Sequence, residues 1–314
     1  NAIVVNDRMD SKNLTIVVIF ILQCFVGILR NFSLLSFYLM LCYNKHSLKP
    51  IDLIFMNIFI ANLFIIFSRS LLQTMETFGM EVFFNVCVCK FLLYTERVGR
   101  SVSICTICLL SVFQAITISP SDSCLNGLKV KVPKCINLSI FLCWVLYLGV
   151  NMILPMYAYI KWNSHNVTYK KALKYCFSIG HDEFTGLFFI AFFVFPEMLF
   201  AILIVWSGSL MVVILYRHKQ RVQHIHRTYA STRTSPESRA TKSILVLVSI
   251  FICFYSLSSI LQGCVALFCN SGWWLINITS IISLCFPILG PFVVSHDTAL
   301  PRFSLSWIRN TGRP

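Results

Sequence analysis

The chain has 314 residues, of which 57% are apolar and 12% charged, and its mean hydropathy is +0.76. A soluble domain carries about 25% charged residues, which keep its surface in water. The low charge content excludes a disordered chain, a collagen-like chain and an ordinary cytosolic enzyme. The composition indicates a membrane protein, although the length alone would allow two soluble domains.

Seven apolar runs are long enough to cross a bilayer, since a helix needs about 20 residues to span roughly 30 Å of hydrocarbon. The third run is the most polar of the seven. No long soluble segment and no internal repeat interrupts them. We therefore predict an all-α, seven-helix membrane domain over residues 1–297, followed by a short tail, 298–314. The predicted spans are 14–42, 52–73, 89–119, 138–160, 186–216, 241–268 and 273–295.

The basic residues are distributed unevenly between the two sides of these spans. Of 26 Lys and Arg residues, fifteen lie in the tail and in the loops after spans 1, 3 and 5, and seven lie on the other side. Cytoplasmic loops carry the excess of Lys and Arg in membrane proteins. The sequence thus predicts an extracellular N-terminus, a cytoplasmic tail and a multi-pass protein of the plasma membrane. The net charge of +14 is explained by these loops, and a nucleic-acid partner is not expected.

A glycosylation sequon supports the same orientation. Asn166, Val167 and Thr168 match Asn-x-Thr in the loop between spans 4 and 5, which this topology makes extracellular. Asn166 is therefore the predicted glycosylation site. The matches at Asn31 and Asn277 fall within predicted spans and are interpreted as chance.

Two of the 14 cysteines are candidates for an extracellular disulfide. Cys89 opens span 3, and Cys176 lies in the loop between spans 4 and 5. A bridge between them would close the mouth of the bundle, and such closures typically stabilise a fold by about 2–4 kcal/mol. Cys87, Cys264 and Cys269 are nearby competitors. Most other cysteines lie inside spans, where they act as small packing residues.

Four ionisable residues define the candidate ligand pocket. Glu96, Arg97 and Arg100 lie two to three turns into span 3, and Glu197 lies in span 5. Charges at this depth are costly and normally face the bundle interior or a wet cavity. Glu96 and Arg100 are four residues apart, so they share a helix face and can pair. The functional interpretation is an outer cavity for a small, largely apolar ligand; the alternative is structural ion pairing.

The most basic segment of the chain, 217–242, joins spans 5 and 6. Ser235 as N-cap and Pro236 at the first helical position predict that span 6 begins as a helix below the membrane. Span 5 is expected to continue past Tyr216. The two extensions would form a basic platform for a G-protein or for anionic lipid. No acidic or thiol partner accompanies the histidines, so neither a metal nor another cofactor is expected. The residues expected to face the G-protein are Arg217, His218, Lys219, Arg221, Arg239 and Lys242.

Several long stretches resemble the vomeronasal type-1 (pheromone) receptor family. They are RVGRSVSICTICLLSVFQAITISP (97–120), YRHKQRVQHIHRT (216–228), SPESRATKSILVLVSIF (235–251) and CFPILGPFVVSHD (285–297). Asp-Arg-Tyr at the end of span 3 and Asn-Pro-x-x-Tyr in span 7, which mark typical rhodopsin-class receptors, are both absent. These absences fit the same family.

The resemblance implies a chemosensory receptor that couples to a Gi/o-type G-protein. It also implies small volatile or steroid-like ligands. Cys89, Cys176 and Asn166 match the bridge and the outer-loop glycosylation site of that family. The sequence leaves open whether the receptor acts alone or in an oligomer.

Other functions fit the sequence less well. A type-2 (bitter) taste receptor would carry His-x-Lys-Ala-Leu-Lys before span 6, and this pattern is missing. A membrane transporter would need internal repeats or a continuous polar pathway. An intramembrane enzyme would need a motif such as His-Glu-x-x-His or Gly-x-Ser-x-Gly, and Cys105-x-x-Cys108 within span 3 is better explained by helix packing. The sequence therefore predicts a receptor and no enzymatic activity.

Overall fold

A computed structural model describes the structure of residues 2–43, 50–78, 86–119, 126–153, 191, 195–225, 236–267 and 273–295. These residues form seven long helices. Each helix contains an apolar stretch long enough to span a bilayer. The predicted all-α architecture of seven spans is thus confirmed for this part of the chain. The helices are α1 (Ala2–Tyr43), α2 (Pro50–Phe78), α3 (Val86–Ile118), α4 (Asn126–Asn151), α5 (Phe195–Ile225), α6 (Pro236–Leu267) and α7 (Trp273–Val294).

Successive helices run in opposite directions through the bundle. The start of α3 meets the end of α4, where Tyr94 donates from its hydroxyl to the Leu148 carbonyl at 2.9 Å. The end of α2 meets the start of α7, where Gln73 donates to Asn277 at 3.2 Å. We call the end where α1, α3, α5 and α7 begin the N-terminal end of the bundle, and the opposite end the C-terminal end.

The most polar span lies at the centre of the bundle. In α3, 67% of the apolar window is buried, against 28% in α1 and 22% in α4. Charged and hydroxyl groups are costly against lipid, so the helix that carries most of them is favoured in the interior. This central position accounts for the polar character of span 3.

Helices α5 and α6 extend beyond their apolar runs as predicted from the sequence, whereas the bounds of α4 differ from the prediction. Helix α5 continues to Ile225 and α6 begins at Pro236, so both extensions past the apolar runs are confirmed. Helix α4 begins at Asn126, twelve residues before the predicted start, and ends at Asn151. Its first turns carry Lys129 and Lys131, which lie between the predicted spans 3 and 4. Hydropathy marks only the part of a helix that lies in lipid, and backbone hydrogen bonding continues beyond it.

Glycine allows α2 and α3 to pack closely. A Cβ atom added to Gly99 would lie 2.8 Å from the Ala61 carbonyl oxygen and 3.0 Å from Cβ of Phe64. Small residues at helix interfaces permit such approach in membranes, where packing rather than hydrophobic burial drives helix association.

Gly99→Ala is therefore expected to force α2 and α3 apart and to cost about 1–3 kcal/mol, the usual range for overpacking. The measurement is thermal unfolding of the receptor in detergent. Gly149→Ala is the matched control, because an added Cβ at Gly149 meets nothing within 4 Å. Equal stability of the two variants would show that the close approach is not required.

A buried polar node joins α1, α2 and α7. Asn31 is fully buried, and its Nδ2 donates to the carbonyls of Gly27 and Pro287, each at 2.8 Å. Asn62, also fully buried, donates from its Nδ2 to Oδ1 of Asn31 at 3.2 Å. Because Asn31 and Asn277 are both buried side chains within helices, glycosylation at either is excluded by the fold.

Candidate functional site

Arg100 on α3 is the centre of a buried polar cluster, with 3% of the residue exposed. Its Nε lies 3.1 Å from both carboxylate oxygens of Glu197 on α5. Its Nη1 donates to Ser258 Oγ at 2.8 Å, and its Nη2 donates to Ser259 Oγ at 2.7 Å. The Tyr255 carbonyl accepts a longer bond from Nη2 at 3.4 Å. One arginine thus ties α3 to α5 and α6.

Glu197 is held by groups from two helices besides its own. Ser259 donates from Oγ to Oε2 at 2.6 Å, and Arg97 Nη2 lies 3.4 Å from Oε1. Arg97 also donates from Nη1 to Oε1 of Gln262 on α6 at 2.9 Å. A buried ion pair is tolerated only when further hydrogen bonds satisfy both charges. Ser258 and Ser259 provide those bonds, and Arg97 places a second positive charge near the carboxylate.

Glu96 forms an ion pair with Arg69 of α2 rather than with Arg100 on its own helix. Its Oε2 accepts from Nη1 of Arg69 at 3.2 Å. The expected pairing of Glu96 with Arg100 is therefore wrong for this structure. A spacing of four residues shows only that two side chains share a helix face, and Arg100 obtains a fuller set of partners from α5 and α6.

An aromatic group connects this cluster to the deeper part of the bundle. The guanidinium of Arg100 lies 4.7 Å from the centroid of the Tyr255 ring, and the Tyr255 hydroxyl donates to the Arg100 carbonyl at 3.3 Å. Tyr255 stacks on Phe251 with centroids 4.1 Å apart, and Phe286 of α7 packs edge-on against Phe251 at 4.7 Å. A displacement of Arg100 would therefore change the packing of α6 against α7.

The structure brings together all four of the predicted pocket residues within the bundle interior. Glu96, Arg97, Arg100 and Glu197 are each 3–6% exposed. Sequence reasoning missed the α6 residues that complete the cluster. The sequence signal that could have identified these α6 residues is their polar character within an otherwise apolar span. The missed residues are Tyr255, Ser258, Ser259 and Gln262.

The charged cluster borders a small cavity in the bundle interior. A cavity of about 20 Å³ adjoins Glu197 between α3, α4 and α5. Small-molecule sites typically enclose about 300–1,000 Å³. This cavity is thus too small for a whole ligand and has room for about one group of the size of water.

The extracellular features predicted from the sequence fall largely outside the described residues. Cys89 lies near the start of α3, but its side chain is not described, and Cys176 and Asn166 lie outside the described ranges. The bridge and the glycosylation site therefore stay predictions. Of the competing cysteines, Cys264 is a free thiol and Cys269 lies outside the described ranges.

The basic residues predicted to face a G-protein lie on helix at the C-terminal end of the bundle. The side chain of Arg217 is exposed. The other members are placed by the backbone of the two helices. Arg217, His218, Lys219 and Arg221 belong to the last turns of α5, and Arg239 and Lys242 belong to the first turns of α6.

The architecture is shared with a receptor of known structure. Squid rhodopsin superposes with a TM-score of 0.65 over 95% of this chain and 80% of that chain, at 14% sequence identity. The fold is thus that of the seven-helix membrane receptors.

Sequence comparison identifies the family. The model of the vomeronasal organ pheromone receptor family matches residues 14–306. Vomeronasal type-1 receptor 4 of Homo sapiens is 44% identical over 91% of this chain and 96% of that protein. Vomeronasal type-1 receptor 2 of Homo sapiens is 46% identical over 87% of this chain and 69% of that protein. The chain belongs to the vomeronasal type-1 family of pheromone receptors.

Membership of this family decides between the alternatives raised by the sequence. The protein is a multi-pass receptor of the G-protein-coupled type at the cell membrane. It is a member of neither the bitter-receptor nor the transporter class, and it is not an enzyme.

Proposed function

We propose that this receptor binds a small, largely apolar ligand at the cluster of Glu96, Arg97, Arg100 and Glu197 and signals through a Gi/o-type G-protein. The proposal places the N-terminal end of the bundle outside the cell. The excess of Lys and Arg in the loops and tail on the other side supports that orientation. Epitope tags at the two ends test it, because they should be accessible from opposite sides of the membrane.

The observation that carries the proposal is the hydrogen-bond network around Arg100. This side chain binds Glu197 of α5 and both Ser258 and Ser259 of α6, so it restrains three helices together. A ligand that competes for any of these bonds changes the free energy of one helix arrangement relative to another. Such a differential interaction is what shifts a receptor between conformations.

The aromatic group transmits that change away from the cluster. Arg100 contacts Tyr255, which stacks on Phe251, which in turn packs against Phe286 of α7. A shift of α6 would reposition its first turns relative to the last turns of α5. The docking surface for the G-protein would then be formed by Arg217, His218, Lys219, Arg221, Arg239 and Lys242.

A ligand screen on cells that express the receptor tests this function. The readout is inhibition of cAMP production that is abolished by pertussis toxin. Ser259→Ala should shift the response to any agonist by about tenfold, because it removes a hydrogen bond to each member of a buried ion pair. The substitution is small enough to leave surface expression near normal.

Ser249→Ala is the matched control, because Ser249 is exposed on the same helix and bonds only to its own helix through the Leu245 carbonyl. A full response from Ser259→Ala, Ser258→Ala and Glu96→Gln, each at equal surface expression, would reject this pocket. A response that survives pertussis toxin would reject Gi/o coupling.

The proposed bridge between Cys89 and Cys176 has its own test. Cys176→Ser is expected to reduce surface delivery sharply, because loss of a disulfide typically costs about 2–5 kcal/mol. Surface labelling of intact cells measures the effect. Cys42→Ser is a suitable control, since Cys42 is a free, exposed thiol near the end of α1. Unchanged delivery and response would mean that the bridge is absent or dispensable.

A further inference from the structure

We infer that the seam between α1 and α7 binds the phosphate group of an anionic phospholipid through Arg30. Neither helix carries a residue of the proposed ligand cluster or of the proposed G-protein surface. Arg30 lies within the apolar stretch of α1, Val18–Tyr43. Its Nη2 donates to Oγ of Ser295, which directly follows the last residue of α7. The apolar stretch of α7 ends at Val294, so the guanidinium lies where that helix leaves the hydrocarbon.

No anionic group compensates Arg30 within the described part of the chain. The ion pairs described there involve other arginines, on α2 and α3. Arg30 instead contacts two neutral groups beside α7: the Ser295 hydroxyl and the ring of Phe292, whose centroid lies 4.9 Å from Cζ of the guanidinium. An arginine in a spanning helix is costly and normally pairs with another group or faces water. Its charge therefore indicates an anion from outside the described residues.

The nitrogen atoms of Arg30 differ in how they can meet that anion. Nε is buried and has no hydrogen-bond partner among the described residues. Nη1 also has no partner among them, but it is not enclosed as Nε is. The residue as a whole is partly exposed. Nη1 and the remaining N–H of Nη2 therefore form an edge of donors that an anion can reach from outside the bundle.

The surroundings of this edge are lipid. Leu29 on α1 is 54% exposed, and Phe292 and Leu289 on α7 are 42% and 40% exposed. Apolar side chains exposed on spanning helices contact the bilayer. The long side chain of an arginine can extend from the hydrocarbon to the head groups. The anion that meets Arg30 is therefore a lipid head group rather than a solute from the water.

Phosphate fits a guanidinium better than other lipid groups do. A guanidinium presents parallel N–H donors that bind two oxygens of one phosphate. A choline head group places a quaternary ammonium close to its phosphate, and the arginine repels that second cation. Lipids with a net negative charge, such as phosphatidylglycerol, are therefore preferred. Basic sites between spanning helices on the cytoplasmic side are typical of anionic head groups, and the end of α7 is cytoplasmic in the orientation proposed above.

Native mass spectrometry of the full-length receptor in detergent tests the site. The receptor is titrated with dioleoylphosphatidylglycerol or with dioleoylphosphatidylcholine, and the dissociation constant of the first bound lipid is measured. Phosphatidylglycerol is expected to bind about tenfold more tightly, and Arg30→Gln should remove most of that difference, because a charge-assisted hydrogen bond is lost. A detergent complex has no leaflets, so the result does not depend on the proposed orientation.

Two further variants separate the site from general effects of charge. Lys134→Gln removes a positive charge from an exposed position in the same half of the bundle, on α4, and should keep the preference for phosphatidylglycerol. Arg30→Lys keeps the charge but lacks the guanidinium fork. It should bind phosphatidylglycerol more weakly than the unmodified receptor and more tightly than Arg30→Gln. If Arg30→Gln does not fold, an unchanged affinity in Arg30→Lys would count against the site.

The chain itself offers a competing anion, because Asp297 follows Ser295 by two residues and lies outside the described ranges. If Asp297 occupied the site, Arg30→Gln and Asp297→Asn would lower the unfolding temperature equally. The double variant would then be no less stable than either single variant, and the lipid preference would not depend on Arg30.

A free anion is distinguished from a lipid by thermal unfolding in detergent, with sodium phosphate compared with sodium chloride at equal ionic strength. Inorganic phosphate is expected to give no stabilisation that depends on Arg30. Four results would overturn the inference: equal affinity for the two lipids, an unchanged preference in Arg30→Gln, stabilisation by inorganic phosphate that Arg30→Gln removes, or the pattern expected for Asp297.

Discussion

Glu197→Gln is expected to reduce the yield of folded receptor by more than about tenfold. The substitution leaves Arg97 and Arg100 buried with their shared carboxylate removed. Removing one partner of a buried ion pair typically costs about 3–5 kcal/mol. This is a large share of the roughly 5–15 kcal/mol that stabilises an ordinary folded domain. The measurement is the yield of monodisperse receptor after detergent extraction, together with its unfolding temperature.

Two comparisons show whether the loss comes from an uncompensated charge. Glu96→Gln breaks an ion pair with Arg69, whose side chain is 16% exposed and can partly reach water, so its effect should be clearly smaller. The double variant Arg100→Met with Glu197→Leu removes one charge of each sign and should recover much of the yield. A double variant as unstable as Glu197→Gln alone would indicate that the network stabilises the fold through its geometry rather than its charge balance.

The number of spans and the location of the buried charges could be predicted from the sequence. Bilayer thickness fixes the length of an apolar run, and ionisable residues within such a run have few alternatives to an interior position. Helix ends were less predictable. The capping signal at Ser235 and Pro236 gave the start of α6 correctly, whereas the start of α4 at Asn126 lies in a polar stretch that hydropathy does not mark.

The partners of the buried charges could not be predicted, because they depend on how helices rotate and pack. Glu96 and Arg100 share a face of α3, yet each finds its partner on another helix. Ser258 and Ser259 were missed for the same reason, since a serine in a membrane span often bonds only to its own helix. Their role depends on the distance from α6 to α3, which local sequence does not determine.

The hydrogen bond from Asn31 to α7 satisfies a backbone carbonyl that has no donor in its own helix. In an α-helix the carbonyl of residue 287 would accept from the N–H of residue 291. Residue 291 is a proline and has no N–H, so the Pro287 carbonyl has no donor within its own helix. Asn31 of α1 supplies the donor instead, with Nδ2 at 2.8 Å from that oxygen.

Asn31→Leu is accordingly expected to destabilise the receptor by about 1–3 kcal/mol, the usual cost of a buried acceptor left without a donor. Part of this cost should vanish in the background Pro291→Ala, because the alanine N–H can bond to the Pro287 carbonyl. The bonds from Asn31 to Gly27 and from Asn62 to Asn31 are lost in both backgrounds, so the difference isolates the contact to α7.

Thermal unfolding of the four receptors in this cycle gives the coupling. Asn137→Leu, at an exposed position of α4, should change stability little in either background. An equal cost of Asn31→Leu with and without Pro291 would mean that the asparagine stabilises the bundle through α1 and α2 alone. A smaller cost without Pro291 would show that α1 completes a hydrogen bond that α7 cannot form by itself.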